Sequence, residues 1–148
     1  MKISGSYTVN AERQDVWNRL LDPDSLSNCL PGVERLDKTA ENEYDMAMNV
    51  GVGMIRGTYE GKVRITEINE PTDYKMYVEG SGRPGFVKGT GKIDLAESVD
   101  GKTEITYEGD VEVGGPVGSV AQRMMGSVSK RMIDQFFSCV EEQIKQGS

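Results

Sequence analysis

The stretch from Pro116 to Gln146, PVGSVAQRMMGSVSKRMIDQFFSCVEEQIKQ, decides the fold. It holds no proline after its first residue and no turn cluster, so it reads as one helix of roughly thirty residues, on the order of 45 Å long. Gly114-Gly115 break the strand pattern before it, and Pro116 suits a first helical position because its missing N–H would go unpaired there. Val117, Val120, Ala121, Met124, Val128 and Met132 recur at steps of three and four. Ile133, Phe136, Phe137, Val140 and Ile144 carry the stripe onward after it has slid round the helix. The two halves are therefore expected to bury against different surfaces, with Gly126-Ser127 as a weak point near the change of face. Met124, Val128, Met132 and Phe136 should be buried, and Lys130 and Lys145 exposed.

The rest of the chain supplies what such a helix needs to cover. Lys2 to Val9 alternates as a half-buried strand. Asn10 is a possible cap for a short helix with Val16, Trp17, Leu20 and Leu21 on its apolar face. Asp22-Pro23 ends that helix, and Asp24 to Leu30 forms a second, stopped by Pro31-Gly32. From Val33 the period is two. Glu43 to Val50, Ile55 to Ile65, Tyr74 to Gly80, Val87 to Leu95 and Thr103 to Val113 read as strands, divided by Gly51 and Gly53, by the Glu70 to Asp73 turn, by Ser81 to Gly85 and by the Asp100-Gly101 hairpin signal. About seven strands joined by short turns predict an antiparallel meander.

Glycine keeps appearing on the apolar parity of these strands. Gly57 and Gly61 share it with Val63 and Ile65, Gly80 with Met76 and Val78, Gly89 and Gly91 with Ile93 and Leu95, and Gly109 with Tyr107 and Val111. Missing side chains let a sheet coil around a helix; they also leave space unfilled, and the two readings are compatible. Six of the eight methionines, Met46, Met48, Met76, Met124, Met125 and Met132, fall on inward faces, where a flexible thioether serves a plain core or a cavity with changeable contents.

Composition narrows the function. One domain, residues 1–148, is expected, and a chain of that length buries roughly two thirds of its unfolded surface. Its net charge of −7 disfavours nucleic acid and electrostatic docking on anionic lipid. There is no signal-peptide run after Met1 and no apolar span of membrane length, so a cytoplasmic protein is expected. Cys29 and Cys139 belong to no CxxC pair and read there as two unpaired buried thiols. The absence of histidine removes His-dependent triads and most zinc and non-haem iron sites. No metal or cofactor is expected. Inward-facing Tyr7, Tyr44, Tyr59, Tyr74 and Tyr107 are the main polar groups, and Asp45 and Glu60 have outward parity. Arg56 and Arg83 sit near turns that would rim a cavity, where a guanidinium can hold a carboxylate or quinone oxygen.

One strand, two short helices, a curled meander and a long last helix describe the α+β helix-grip fold. Asp22-Pro23, Cys29-Leu30-Pro31-Gly32-Val33-Glu34, Gly80-Ser81-Gly82, Gly85-Phe86-Val87-Lys88-Gly89, Val113-Gly114-Gly115 and Asp134-Gln135-Phe136-Phe137 closely resemble the carbon monoxide dehydrogenase G-subunit family, part of the START/polyketide-cyclase (SRPBCC) superfamily. The resemblance covers nearly the whole chain. It implies a cavity between long helix and concave sheet, suited to a lipophilic, quinone- or lipid-like molecule, and an accessory role beside a molybdenum hydroxylase. Some members carry an extension beyond the last helix that reaches a membrane or partner. This chain stops at Gly147-Ser148, so at most a transient membrane contact is expected.

The expected ligand-binding set is Met46, Met48, Tyr59, Met76, Phe86, Gly89, Gly109, Met124, Met125, Val128 and Met132, with Arg56 and Arg83 near a polar head and entry near the loop around Phe86. A non-catalytic carrier is the leading reading. A docking or maturation module without a ligand and a cyclase/aromatase-like enzyme are the alternatives.

Overall fold

A computed structural model describes residues 2–30, 32–50, 56–83, 85–115 and 118–147; the side chains of 50, 118–122, 124, 125, 127–129 and 147 lie outside the description. The elements run β1 (Lys2–Val9), α1 (Arg13–Leu20), α2 (Pro23–Cys29), β2 (Val33–Ala40), β3 (Glu43–Val50), β4 (Gly57–Asn69), β5 (Asp73–Gly82), β6 (Gly85–Glu97), a 3-10 turn (Val99–Gly101), β7 (Thr103–Gly114) and α3 (Gly118–Gly147). All seven strands form one antiparallel sheet in the order β1-β7-β6-β5-β4-β3-β2. The meander folds strand against neighbour, and the first strand closes on the last. With α3 laid against it, this is the helix-grip α+β fold.

Local chemistry differs from expectation at the two small helices. Glu12, not Asn10, holds the N-cap position of α1, without a side-chain bond. The Asn10 N–H instead donates to a Glu141 carboxylate oxygen at 2.8 Å, which ties the end of β1 to α3. Pro23 does not merely stop α1; it is the first residue of α2, where a missing N–H costs nothing. Asp22 caps that helix, accepting from the Asp24 N–H at 3.2 Å and from the buried Ser25 hydroxyl at 3.2 Å. The start expected at Pro116 and the turn at Gly51 and Gly53 lie outside the described residues.

Val16, Trp17 and Leu20 of α1 and Phe137 and Val140 of α3 are buried among Tyr74, Ile93, Leu95, Ile105 and Tyr107 of the sheet. Trp17 stands edge-on to Tyr74 at 5.5 Å between centroids, and Phe137 packs on Tyr7 at 5.7 Å and Tyr107 at 6.1 Å. Each such side chain is worth about 1.5–3 kcal/mol of burial. Lys130 and Lys145 are exposed, as the stripe requires, while Met132 and Phe136 are only half-buried.

The two cysteines are not free thiols. α2 packs on α3, which sets Cys29 and Cys139 5.4 Å apart at Cα, and they form a disulfide across a sequence separation of 110. That Cα spacing is one a disulfide spans without backbone movement. A pairing so distant leaves no mark in local spacing.

Candidate functional site on the inner face of the sheet

The cross-strand register resolves the inner face into rows. Nearest the open end, Met48 stands opposite Tyr59. Behind it runs Leu36–Met46–Gly61–Gly80–Val87–Val113, then Tyr44–Val63–Val78–Gly89–Val111, then Ile65–Met76–Gly91–Gly109–Ile3. Beyond these, Tyr74–Ile93–Tyr107–Gly5 and Leu95–Ile105–Tyr7 belong to the core.

Burial is graded along the rows, with Tyr44, Ile65 and Val113 buried among the partly covered residues nearer the open end. Tyr74, Ile93, Tyr107, Leu95 and Ile105 are buried. On the same face towards the open end, Met46, Met48, Tyr59, Val63, Val78, Val87, Gly89 and Val111 are all half-exposed. Apolar side chains on the concave side of a sheet are normally covered. Here a group of them is only partly covered.

The glycines in these rows fall into two kinds. A Cβ at Gly109 would stand 2.8 Å from the Thr90 carbonyl oxygen, and one at Gly61 would meet the Glu79 carbonyl oxygen and lie 2.6 Å from the Gly80 Cα. Those positions are glycine because backbones approach there, which lets the sheet coil. Gly89 and Gly91 differ. A Cβ at Gly89 would find only ordinary contacts, at 3.4 Å from the Asp110 oxygen and 3.5 Å from Val111 Cγ2, and Gly91 likewise at 3.5 Å from Glu108 and Met76. At Gly5 the space is already taken by the Tyr107 ring. Bending and open volume are thus separate properties of separate glycines.

Met46, Met48, Tyr59, Met76, Gly89 and Gly109 therefore share one face, and half-buried Met132 lies on α3. The side chains of Met124, Met125 and Val128 lie outside the described residues. Arg56 precedes β4 and Arg83 occupies the β5–β6 turn, both exposed at the open end. That turn is two residues long, shorter than the Ser81 to Gly85 loop expected, because β5 runs to Gly82 and β6 starts at Gly85. Gly115, at φ +91°, closes this end; a Cβ there would lie 2.6 Å from the Gly85 Cα. The hairpin tip and the approach to α3 are consequently in backbone contact.

Phe86 is a correction. It pairs with Ser81 and Gly114 on the outer face, its ring fills the space a Cβ at Gly114 would need, and the Lys88 ammonium lies 5.8 Å from its centroid. It cannot line the concave side. The signal was in the alternation: Phe86 shares parity with Lys88, out of phase with Val87 and Gly89. Together with Arg35, Asp45, Glu60, Lys62 and Glu79 it borders a groove of about 520 Å³ that Met46, Gly61, Gly80 and Val87 also line, so charged and apolar residues share it. Val63, Val78, Val87 and Val111 share the inner face and were not among the expected residues, although the same period-two pattern marks them.

Three of the inward tyrosines are poor proton carriers. Burial raises the Tyr59 and Tyr74 phenols above their usual range, and burial, with the Asp22 charge adding, does so for Tyr44. All three are neutral donors at physiological pH. Among the described residues no group of three or more Cys, Asp or Glu is placed to hold a metal ion, and no helix is long and apolar enough to cross a membrane.

Comparison with known proteins places this geometry. A conserved protein from Geobacillus kaustophilus is 36% identical and superposes with a TM-score of 0.94 over 99% of this chain and 96% of that one. A protein from Thermus thermophilus superposes at 0.78 with 15% identity, over 100% and 99% of the two chains. A START superfamily protein from Mycobacterium smegmatis does so at 0.75 with 12% identity, over 99% of each. At such identities the last two speak for the fold alone. No curated protein sequence matches. Residues 5–145 match the family described as the carbon monoxide dehydrogenase G subunit (CoxG), and the chain belongs to that family.

Proposed function

We propose that the protein is a non-catalytic carrier for a lipophilic, quinone- or lipid-like molecule, held between the open half of the sheet and the N-terminal half of α3. The observation that carries this reading is the patch around Met46, Met48, Tyr59, Val78 and Gly89, apolar and inward-facing yet half-exposed, beside a fully packed core on the same face. Burying an isoprenoid tail there at about 25 cal/mol per Å² supplies the driving force without charges. Exposed Arg56 and Arg83 stand where a polar head would emerge. Membership of a family described as a subunit of carbon monoxide dehydrogenase supports a molybdenum hydroxylase as the partner; a transient membrane contact and a cytoplasmic compartment belong to the same proposal.

Native mass spectrometry with lipid extraction, on protein purified from its own host, tests this. A stoichiometric apolar ligand is expected. Titration of the emptied protein with a short-chain quinone should then saturate, and Met132→Lys should abolish binding. A folded, empty protein that binds no apolar compound would leave a ligand-free docking module as the function.

A further inference from the structure

The two sulfurs of the disulfide stand in unequal surroundings. Cys29 ends α2 and is 5% exposed. Cys139 is only partly buried, and it helps to line an open groove of about 810 Å³ between β1 and α3. Ser6 and Tyr7 form one side of that groove; Lys130, Asp134, Ser138 and Glu142 lie along the other. Lys130 lies 3.8 Å from Asp134, which leaves the Glu142 carboxylate as the excess charge. The bond is also the covalent tie between α3 and a seven-residue helix, too short to persist alone. Just beyond α2, the Gly32 carbonyl accepts the Asn49 N–H at 2.7 Å, so this helix, the Gly32 corner and the open end of β3 form one run of contacts.

We propose that the Cys29–Cys139 disulfide is a thiol-exchange site, entered through the β1–α3 groove at Cys139 and suited to neutral or cationic dithiols, whose opening loosens α2 and the Gly32 corner from α3. The incoming thiolate attacks Cys139 Sγ, and the electron pair of the S–S bond leaves on the Cys29 sulfur. That sulfur is buried at the C-terminal end of a helix, where negative charge is disfavoured, and it takes the proton of the dithiol's second thiol. The dithiol's second thiolate then attacks its own partner sulfur in the mixed disulfide and releases Cys139 as a thiolate. Two electrons pass to the protein and the dithiol leaves oxidised. Disulfides that occur in reducing compartments are characteristically transient or redox-sensing, and an accessible sulfur beside a buried one fits that use.

The oxidised, folded protein is treated with cysteamine, glutathione or dithiothreitol at equal thiolate concentrations, alkylated and digested. Monothiol adducts are expected at Cys139 over Cys29 by about tenfold or more. Cationic cysteamine should outpace anionic glutathione, with the gap closing near 1 M salt, where screening acts within about 3 Å. After dithiothreitol, amide exchange should accelerate at residues 22–30 and 47–49 while β6 and β7 stay protected. Equal adducts at both sulfurs, or reduction no faster than global unfolding, overturns the proposal. In Cys29→Ser the remaining thiol should alkylate readily, and in Cys139→Ser it should not; the reverse order also overturns it. The site stands apart from any bound lipid: an empty protein that exchanges this way retains it, and a lipid-loaded one that does not loses it.

Discussion

Single residues separate the two jobs of glycine in this sheet. Gly109→Leu forces a side chain against the Thr90 carbonyl, so urea unfolding should show a loss of roughly 1–3 kcal/mol or more. Gly89→Leu meets only ordinary contacts and should cost less stability, yet it projects into the half-exposed patch and should weaken binding of an apolar ligand. Equal stability losses in both variants, with affinity untouched, would assign Gly89 to bending as well. The buried phenols set a second expectation. In the unfolded chain Tyr44, Tyr59 and Tyr74 ionise near pH 10, whereas the folded protein holds them protonated to higher pH. Above about pH 10 the unfolded chain therefore binds fewer protons, and stability falls as pH rises; below it these groups add no pH dependence. Phenolate absorbance from Tyr74, the fully buried one, should appear together with loss of the near-UV circular dichroism. Ionisation of all six tyrosines with that signal intact would contradict it.

Among the elements, α3 carries the clearest test. Gly126 is exposed, and a Cβ there would meet nothing within 4 Å, so neither packing nor crowding requires glycine. Gly126→Ala should stabilise the protein by about 1 kcal/mol in urea unfolding. If α3 bends at this point to admit a ligand, the same variant should slow ligand dissociation. Thr103 offers a contrasting case: fully buried, it donates its hydroxyl to the Ala11 carbonyl at 2.8 Å and pins the start of β7 to the approach of α1. Thr103→Val should cost about 1–3 kcal/mol, because it removes the hydroxyl donor to the Ala11 carbonyl from a buried position. The elements themselves were readable in advance, since period and punctuation are local properties. β1 begins and ends where its alternation does, and Met46, Met48, Met76, Gly89, Gly91 and Gly109 fall on the face that parity assigns them. Two things were not readable. Asn10 has the chemistry of a cap, but α1 starts two residues later, with Glu12 at the N-cap, while the Asn10 N–H is tied to a carboxylate on α3, and the Cys29–Cys139 pairing depends on how α2 and α3 pack. Both are contacts between residues more than a hundred positions apart, which no window of sequence contains.

For the whole molecule, the disulfide closes a loop spanning most of the chain. In the chain-entropy account, a closure of that size is worth about 4–5 kcal/mol. Reduction, or Cys29→Ser with Cys139→Ser, should lower Tm by roughly 10–20 °C. The fold should persist, because Trp17, Phe137 and the sheet residues around them pack without the bond. Circular dichroism at moderate temperature checks this, and wholesale unfolding on reduction would show the core to be insufficient alone. The pairing of β1 with β7 sets a timetable as well. On the ribosome the meander from β2 to β6 can assemble as it emerges, but Val9 must wait for Thr103 and Lys2 for Asp110. At about 5–20 residues per second the delay is on the order of 5–20 s. Throughout it the first strand made is an unpaired edge, exposed to neighbouring nascent chains and to any chaperone waiting at the exit tunnel.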